Sequence, residues 1–306
     1  MKTYLDAALE GKNNWWRFLI AYPVIIITWF IVGAIPIFAV TAIVMLDDNP
    51  LTNIIASGFV GIDPLLNYAV TMISFIPLLL ATLLVVRFLH QRPARTLVTP
   101  NGNVDWQRLF VGFGIWFVLA AVMAVIESLL YPGRYTLTLD AAQLIPFAIF
   151  SILIVPVQTS SEEIFFRGYL VQNLGLKIRN PLALSLLSGI LFTLPHLANP
   201  EIAENVWLVP LFYFSFGAFA AFITLRDNGL ELALGMHAGN NLFASLFANY
   251  TNSALQTPAL YTINEFDVAY NLISPLVGMA IFYVLVFRVW PKKAGLPAQA
   301  ALMAES

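Results

Sequence analysis

The chain of 306 residues contains no cysteine, which excludes a thiol nucleophile, a disulfide framework and any thiolate-held metal. It leaves the redox compartment unreadable. Charge is scarce as well: Asp, Glu, Lys and Arg make up 10% of the residues, and the formal net charge is −2. With no block of like charge, the sequence carries no electrostatic footprint for nucleic acid. Apolar surface takes the place of charge. Hydrophobic residues are 59% of the chain and the mean hydropathy is +0.80, above the roughly 45–50% of soluble domains. An ordinary water-soluble globule is excluded.

A bilayer-spanning helix needs about 20 apolar residues. Stretches 18–46, 64–86, 141–161, 205–225 and 268–287 reach that length without one charged residue. The first is too long for the apolar core of a signal peptide, roughly 7–15 residues, and no small-residue cleavage site follows it. It reads as a permanent span. Windows of this length predict eight spans, at 18–43, 65–86, 109–130, 144–174, 182–200, 206–225, 230–249 and 268–288. The fourth is long enough to hold a break, expected at Pro156. The expected fold class is all-α: a polytopic integral membrane protein of about eight transmembrane helices, one domain over 1–306, with a short Ala-rich tail at 291–306.

Lys and Arg collect in cytoplasmic loops. With the amino terminus inside, Lys2, Lys12, Arg17, Arg87, Arg92, Arg95, Arg108, Lys177, Arg179, Arg226, Arg288, Lys292 and Lys293 fall on the cytoplasmic side and only Arg134 outside. The external loops hold Asp47, Asp48, Asp63, Asp140, Glu201, Glu204, Glu265 and Asp267. Eight spans with both termini cytoplasmic therefore fit better than seven or nine. Trp15, Trp16, Trp106, Trp207 and Trp290 sit at span ends, as interfacial aromatics do.

An ionisable side chain at bilayer depth costs at least about 2.5–3.5 kcal/mol on insertion scales, so each one needs a reason. In the fourth span, Glu163 and Arg167 stand four apart and can pair, while Glu162, rotated by about 100°, is left without that partner. An unpaired carboxylate in apolar surroundings suits a general base. The competing reading is a helix start, with Ser160 and Glu163 as a capping box after a break at Pro156. It accounts for Glu163 but not for Glu162. In the fifth span, His196 follows Pro195, which loosens the helix. In the seventh, His237 and Asn241 share a face, and Gly235 and Gly239 form a small-xxx-small pair for close packing. The third histidine, His90, lies between Arg87 and Arg92 and reads as solvated. At 1.5 Å per residue, Glu162 lies about 18 Å from an inner end at Leu174 and His196 about 21 Å from Leu182. His237 lies only about 10 Å from Leu230, a mismatch unless its helix begins within the membrane.

These residues resemble the motif set of the CAAX protease and bacteriocin-processing family, the intramembrane glutamate proteases that include the Ras-converting CAAX endopeptidases. Its signatures EExxxR, FxxxH and HxxxN match Glu162 through Arg167, Phe192 through His196, and His237 through Asn241, in order, within about 144–250. The resemblance implies proteolysis without a cofactor, at a polar site on helices 4, 5 and 7. Glu162 and His196 would activate a water, His237 and Asn241 would stabilise the oxyanion, and Glu163 and Arg167 would support Glu162. Its implied substrate is a peptide or protein in or at the membrane, prenylated or carrying a leader. The wording of the fourth span leans towards a bacterial plasma membrane, and a homodimer is open. Three alternatives stand beside this: a zinc protease with Glu162, His196 and His237 as ligands, a proton-coupled transporter, and a non-catalytic scaffold or bacteriocin-immunity protein.

Overall fold

A computed structural model of the chain describes residues 2–47, 51–55, 58–138, 140–250, 252–255 and 257–291. Asp48, Lys292, Lys293 and the tail from 292 to 306 lie outside the described residues. Among the described residues, eight helices carry the fold: α1 (Trp15–Leu46), α2 (Pro64–Leu89), α3 (Trp106–Leu130), α4 (Ala141–Leu174), α5 (Pro181–His196), α6 (Leu208–Asp227), α7 (Glu231–Leu246) and α8 (Val268–Val289). Their starts follow from local chemistry. Asp63, Asp105, Asp140, Asn180 and Asp267 each accept a hydrogen bond from a backbone N–H of the first turn. Pro64 and Pro181 occupy the first turn, where no N–H is missed.

Six of these helices are long and apolar enough to cross a membrane, and the chain is a polytopic, all-α integral membrane protein. The fifth and seventh differ from the sequence expectation. Each has 16 residues, about 24 Å, short of the roughly 30 Å hydrocarbon core. Helix α5 stops at His196, and the chain runs on through the short helical turn Pro200–Glu204 along the wall of a cavity, a setting that tolerates irregular backbone at depth. Helix α7 starts inside the protein, with residues 229–239 all buried, so it needs no lipid-facing apolar stripe.

The expected break at Pro156 is absent: α4 stays helical through Pro146 and Pro156. Pro156 removes one ladder hydrogen bond, while the hydroxyls of Thr159 and Ser161 bond back to the carbonyls of Val155 and Val157, at 2.9 and 2.7 Å. Ser160 and Glu163 are therefore mid-helix residues, not a capping box. The irregularity falls just after the paired glutamates, where 164–171 widens into π-type turns, a distortion common at functional sites.

One end of the bundle is basic and sealed. Tyr4 Oη donates to the carbonyl of Leu97 at 2.6 Å, and the Leu230 N–H to that of Val98 at 2.8 Å. Arg92 donates to Gln172, which donates to the Thr96 carbonyl, both at 2.7 Å. His90 is not solvated but 1% exposed. Its Nδ1 meets the Lys12 carbonyl at 2.9 Å and its Nε2 the Tyr169 hydroxyl at 2.8 Å, because the segment 2–12 folds back over it. Burial, opposed by the bond to Lys12 and aided by nearby Arg92, holds the His90 imidazole below its ordinary pKa.

The opposite end carries the loop acids Asp47, Asp63, Asp140, Glu201, Glu204, Glu265 and Asp267 and all the β-structure of the described residues. Strands β1 (Asn53–Ile55) and β2 (Gly58–Val60) form an antiparallel hairpin. In a second sheet, β3 (Tyr135–Leu137) runs antiparallel and β4 (Ala248–Tyr250) parallel to the central β5 (Tyr261–Ile263). Arg134, the one cation here that breaks the charge pattern, is paired with Glu127 at 3.1 Å and Asp267 at 3.4 Å.

Helix α7 packs against α3 at backbone contact. A Cβ on Gly235 would sit 2.0 Å from the Leu109 carbonyl oxygen, and one on Gly239 2.8 Å from that of Phe113. Gly235→Ala is expected to force the two helices apart and deplete folded protein, read by size-exclusion of a detergent-solubilised fusion; a wild-type profile would show that α3 and α7 tolerate separation. His90 gives a second expectation. A histidine with a lowered native pKa stabilises fully above its unfolded pKa of about 6.5 and loses that contribution as pH falls below it. The melting temperature should drop from neutral to mildly acid pH by more in the wild type than in His90→Gln.

Candidate active site

The motif residues, far apart in sequence, meet in one cluster. Glu163 Oε1 accepts from Arg167 Nη1 at 2.8 Å and from His237 Nδ1 at 2.8 Å. The Glu163 and Arg167 side chains are fully buried. The other face of the His237 ring turns to Glu162, with Nε2 3.4 Å from Oε2. Glu162 Oε1 lies 4.0 Å from His196 Nε2. Thus Glu162 stands between two imidazoles, separated from the Glu163–Arg167 pair as the helical spacing requires.

Carbonyl chemistry fixes the state of His196. Its Nδ1 lies 2.7 Å from the Phe192 carbonyl oxygen, which can only accept, so Nδ1 carries the proton. In the neutral ring Nε2 is then a lone pair facing Glu162. The imidazole is held between the rings of Phe192 and Tyr213, with centroids at 4.4 and 4.3 Å. Phe192 also lies beneath the Arg167 guanidinium, 4.2 Å from the ring centroid, so it joins the first two motifs. Arg167 Nη2 reaches the Gly217 carbonyl at 3.2 Å and ties in α6.

Asn241 belongs to a chain of amides. Its Nδ2 donates to Gln158 Oε1 at 3.0 Å and its Oδ1 accepts from Asn240 Nδ2 at 3.0 Å. Asn240 accepts from the Trp116 indole N–H at 3.0 Å. Gln158 precedes Glu162 by one helical turn on the same face, a signal available in the sequence. Trp116, Tyr213 and Glu201 carried no such signal. The Glu201 carboxylate accepts from the Tyr213 hydroxyl and, at 3.0 Å, from the Ala254 N–H, linking α6 to the 252–255 loop.

The depth mismatch of His237 disappears. Helix α4 overshoots: a Cβ on Gly168 would lie 3.0 Å from the Leu97 carbonyl oxygen, and the Leu230 N–H bonds the neighbouring Val98 carbonyl. Measured from this shared level, Glu162 is six residues in and His237 seven, both about 10 Å. The cluster forms the floor of a cavity of about 620 Å³, whose lining includes Glu162, His196, His237, Asn240 and Asn241. Among the described residues, no group of three or more His, Asp or Glu is arranged to hold a metal ion.

The family described as type II CAAX prenyl endopeptidase Rce1-like matches residues 141–243. A Bacillus subtilis (strain 168) protein named "Uncharacterized protein YyaK" is 32% identical over 285 residues, 90% of this chain and 94% of that relative. The chain belongs to the Rce1-like family. No solved structure matches it. In this Rce1-like chain the matched segment runs from the start of α4 into α7 and contains all seven motif residues, the two amides Gln158 and Asn240, and Tyr213.

Removing one partner of a buried ion pair leaves an uncompensated charge, at a cost of about 3–5 kcal/mol. Arg167→Met is expected to lower the melting temperature sharply in detergent, whereas Asn241→Ala, at the cavity wall, should change it little. A melting curve for Arg167→Met that superimposes on the wild type would refute this role for the pair.

Proposed function

We propose that this protein is an intramembrane endopeptidase that hydrolyses a peptide bond with a water activated by Glu162 and His196. The observation that carries the reading is the fan of one carboxylate and two imidazoles on three helices, at the floor of a cavity large enough for an extended segment of polypeptide. Family membership supports it.

A water between Glu162 Oε1 and His196 Nε2, whose 4.0 Å gap admits one off the line between them, would bond to both. Glu162 takes its proton as the oxygen attacks the peptide carbonyl carbon. The carbonyl oxygen, now negative, is turned towards the second N–H of Asn241, held by Gln158 before the substrate arrives, and towards His237, which donates from Nε2 as the doubly protonated ring with its Nδ1–H on Glu163. Glu162 then delivers the proton to the leaving nitrogen as the C–N bond breaks, giving a carboxylic acid and an amine, and the acid's proton passes to the amine to leave carboxylate and ammonium. Glu163 and Arg167 orient His237 and Phe192 and take no proton in this scheme. We further propose that the basic end faces the cytoplasm, as the distribution of Lys and Arg favours, in a bacterial plasma membrane.

The test is a whole-cell comparison of protein amino termini with the wild type and Glu162→Gln at matched levels in the membrane. Loss of a general base lowers the rate by about 10²–10⁴, so amino termini created by the enzyme should vanish in the variant. Identical profiles from two folded proteins would remove proteolysis and leave a scaffold or a transporter.

A further inference from the structure

The lining of the cavity is distributed in one direction only. On α3 it takes Ala120, Met123, Ala124 and Glu127, and on α4 Gln158 and Glu162. On α6 it begins at Leu208 and stops at Phe216, and on α8 it begins at Val268 and stops at Pro275. In every helix these are the turns between the catalytic residues and the acidic end. Beyond the helices the wall continues into the loops of that end, through Asn199, Tyr250, Ala254, Ile263 and Phe266. No lining residue comes from 76–119, 164–191 or 217–236, the stretches that make up the basic half.

The basic half is filled instead. Arg167, Tyr169 and Gln172 are fully buried beneath Tyr4, the 94–98 segment and the start of α7, which are joined by the hydrogen bonds of Tyr4, Gln172 and Leu230. A polypeptide reaching Glu162 from the basic end would have to displace this layer. From the acidic end it meets open space, and the His196 side chain at the bottom retains 14% of its accessible surface.

We infer that the site is reached from the extracytoplasmic face, and that the substrate is a segment exposed on that face of a polypeptide exported across, or anchored in, the membrane. The inference rests on the proteolytic reading for what happens to that segment and on the charge distribution for which face it is. It makes a soluble cytoplasmic tail, prenylated or not, the wrong substrate for this chain. The occupant is a polypeptide because the catalytic groups sit at the far end of a deep, mostly apolar passage. Only an extended chain, narrow and able to present a backbone carbonyl at depth, would fill its length and still reach the floor.

The absence of cysteine provides a clean background for the test. Single-cysteine variants Glu204→Cys at the acidic rim, Ala244→Cys and Ala254→Cys in the cavity wall, and Asn103→Cys on the basic end are exposed in intact cells to a charged, membrane-impermeant maleimide. Labelling is then repeated after permeabilisation. Glu204→Cys and at least one wall variant should label in intact cells as fully as after permeabilisation, with Asn103→Cys losing nearly all its labelling until the membrane is opened. The reverse pattern overturns the inference by placing the mouth in the cytoplasm. Labelling of Glu204→Cys with both wall variants protected overturns it by closing the cavity to that face. These outcomes need no catalysis, so they stand apart from the proteolytic reading. If labelling supports external access and Glu162→Gln leaves the amino termini unchanged, it is proteolysis that fails. If labelling supports access and the lost termini map to cytoplasmic segments, the substrate assignment fails.

Discussion

One carboxylate oxygen, Glu163 Oε1, holds the polar interior together by accepting from both Arg167 and His237. Charged groups this deep are tolerable only when paired and hydrogen-bonded, and here the pairing sets the geometry of everything nearby. The bond to His237 fixes α7 against α4 and decides which ring nitrogen turns to Glu162. The bond to Arg167 places the guanidinium over Phe192 and within reach of the Gly217 carbonyl, which gathers α5 and α6. The glycines of α7 serve the same end: without side chains at 235 and 239, the helix lies on the backbone of α3 and presents His237 and Asn241 on its other side.

The molecule divides its length between a floor and a chamber. Near the basic end, Tyr4, Arg92, Tyr169 and Gln172 are buried in a hydrogen-bonded layer that fills that half of the bundle. Towards the acidic end, the same helices diverge around open space, and short strands and turns replace them at the rim. This division explains why α5 can stop early. Its last turn supplies His196, and the backbone that follows lines a cavity where its polar groups can be satisfied without a helix.

The three motifs were legible in the sequence because each is a helical repeat of four: Glu163 with Arg167, Phe192 with His196, His237 with Asn241. The separation of Glu162 from the Glu163–Arg167 pair followed from its rotation about the helix axis. What helical geometry alone could not show depended on contacts between distant segments. Tyr213 and Glu201 matter because α6 and the 199–204 turn bring them against His196, and Trp116 because α3 lies beside α7. His90 misled because its flanking arginines suggest water, whereas the folded-back amino-terminal segment removes it. Pro156 misled because a proline inside a helix removes one ladder hydrogen bond, and here that loss does not interrupt α4, and the count of spans depended on how much of α7 other helices cover.

The state of His196 bears on which kind of chemistry the cavity suits. A proton relay in a transporter must accept a proton on one side and release it on another, so its ring must turn or its hydrogen bonds exchange. The His196 ring has little freedom for either. Phe192 and Tyr213 lie on its two faces, the Tyr213 hydroxyl is tied to Glu201 and Asn199, and Nδ1 is committed to a carbonyl that cannot give a proton back. Only Nε2 remains, aimed at Glu162 and open to the cavity, while the opposite side of the cluster is closed by buried protein. A lone pair fixed in direction, beside a carboxylate and on the floor of a cavity lined from the acidic half of the bundle, suits holding a water for attack. A path would need a second exit, and the residues that would line it are packed together.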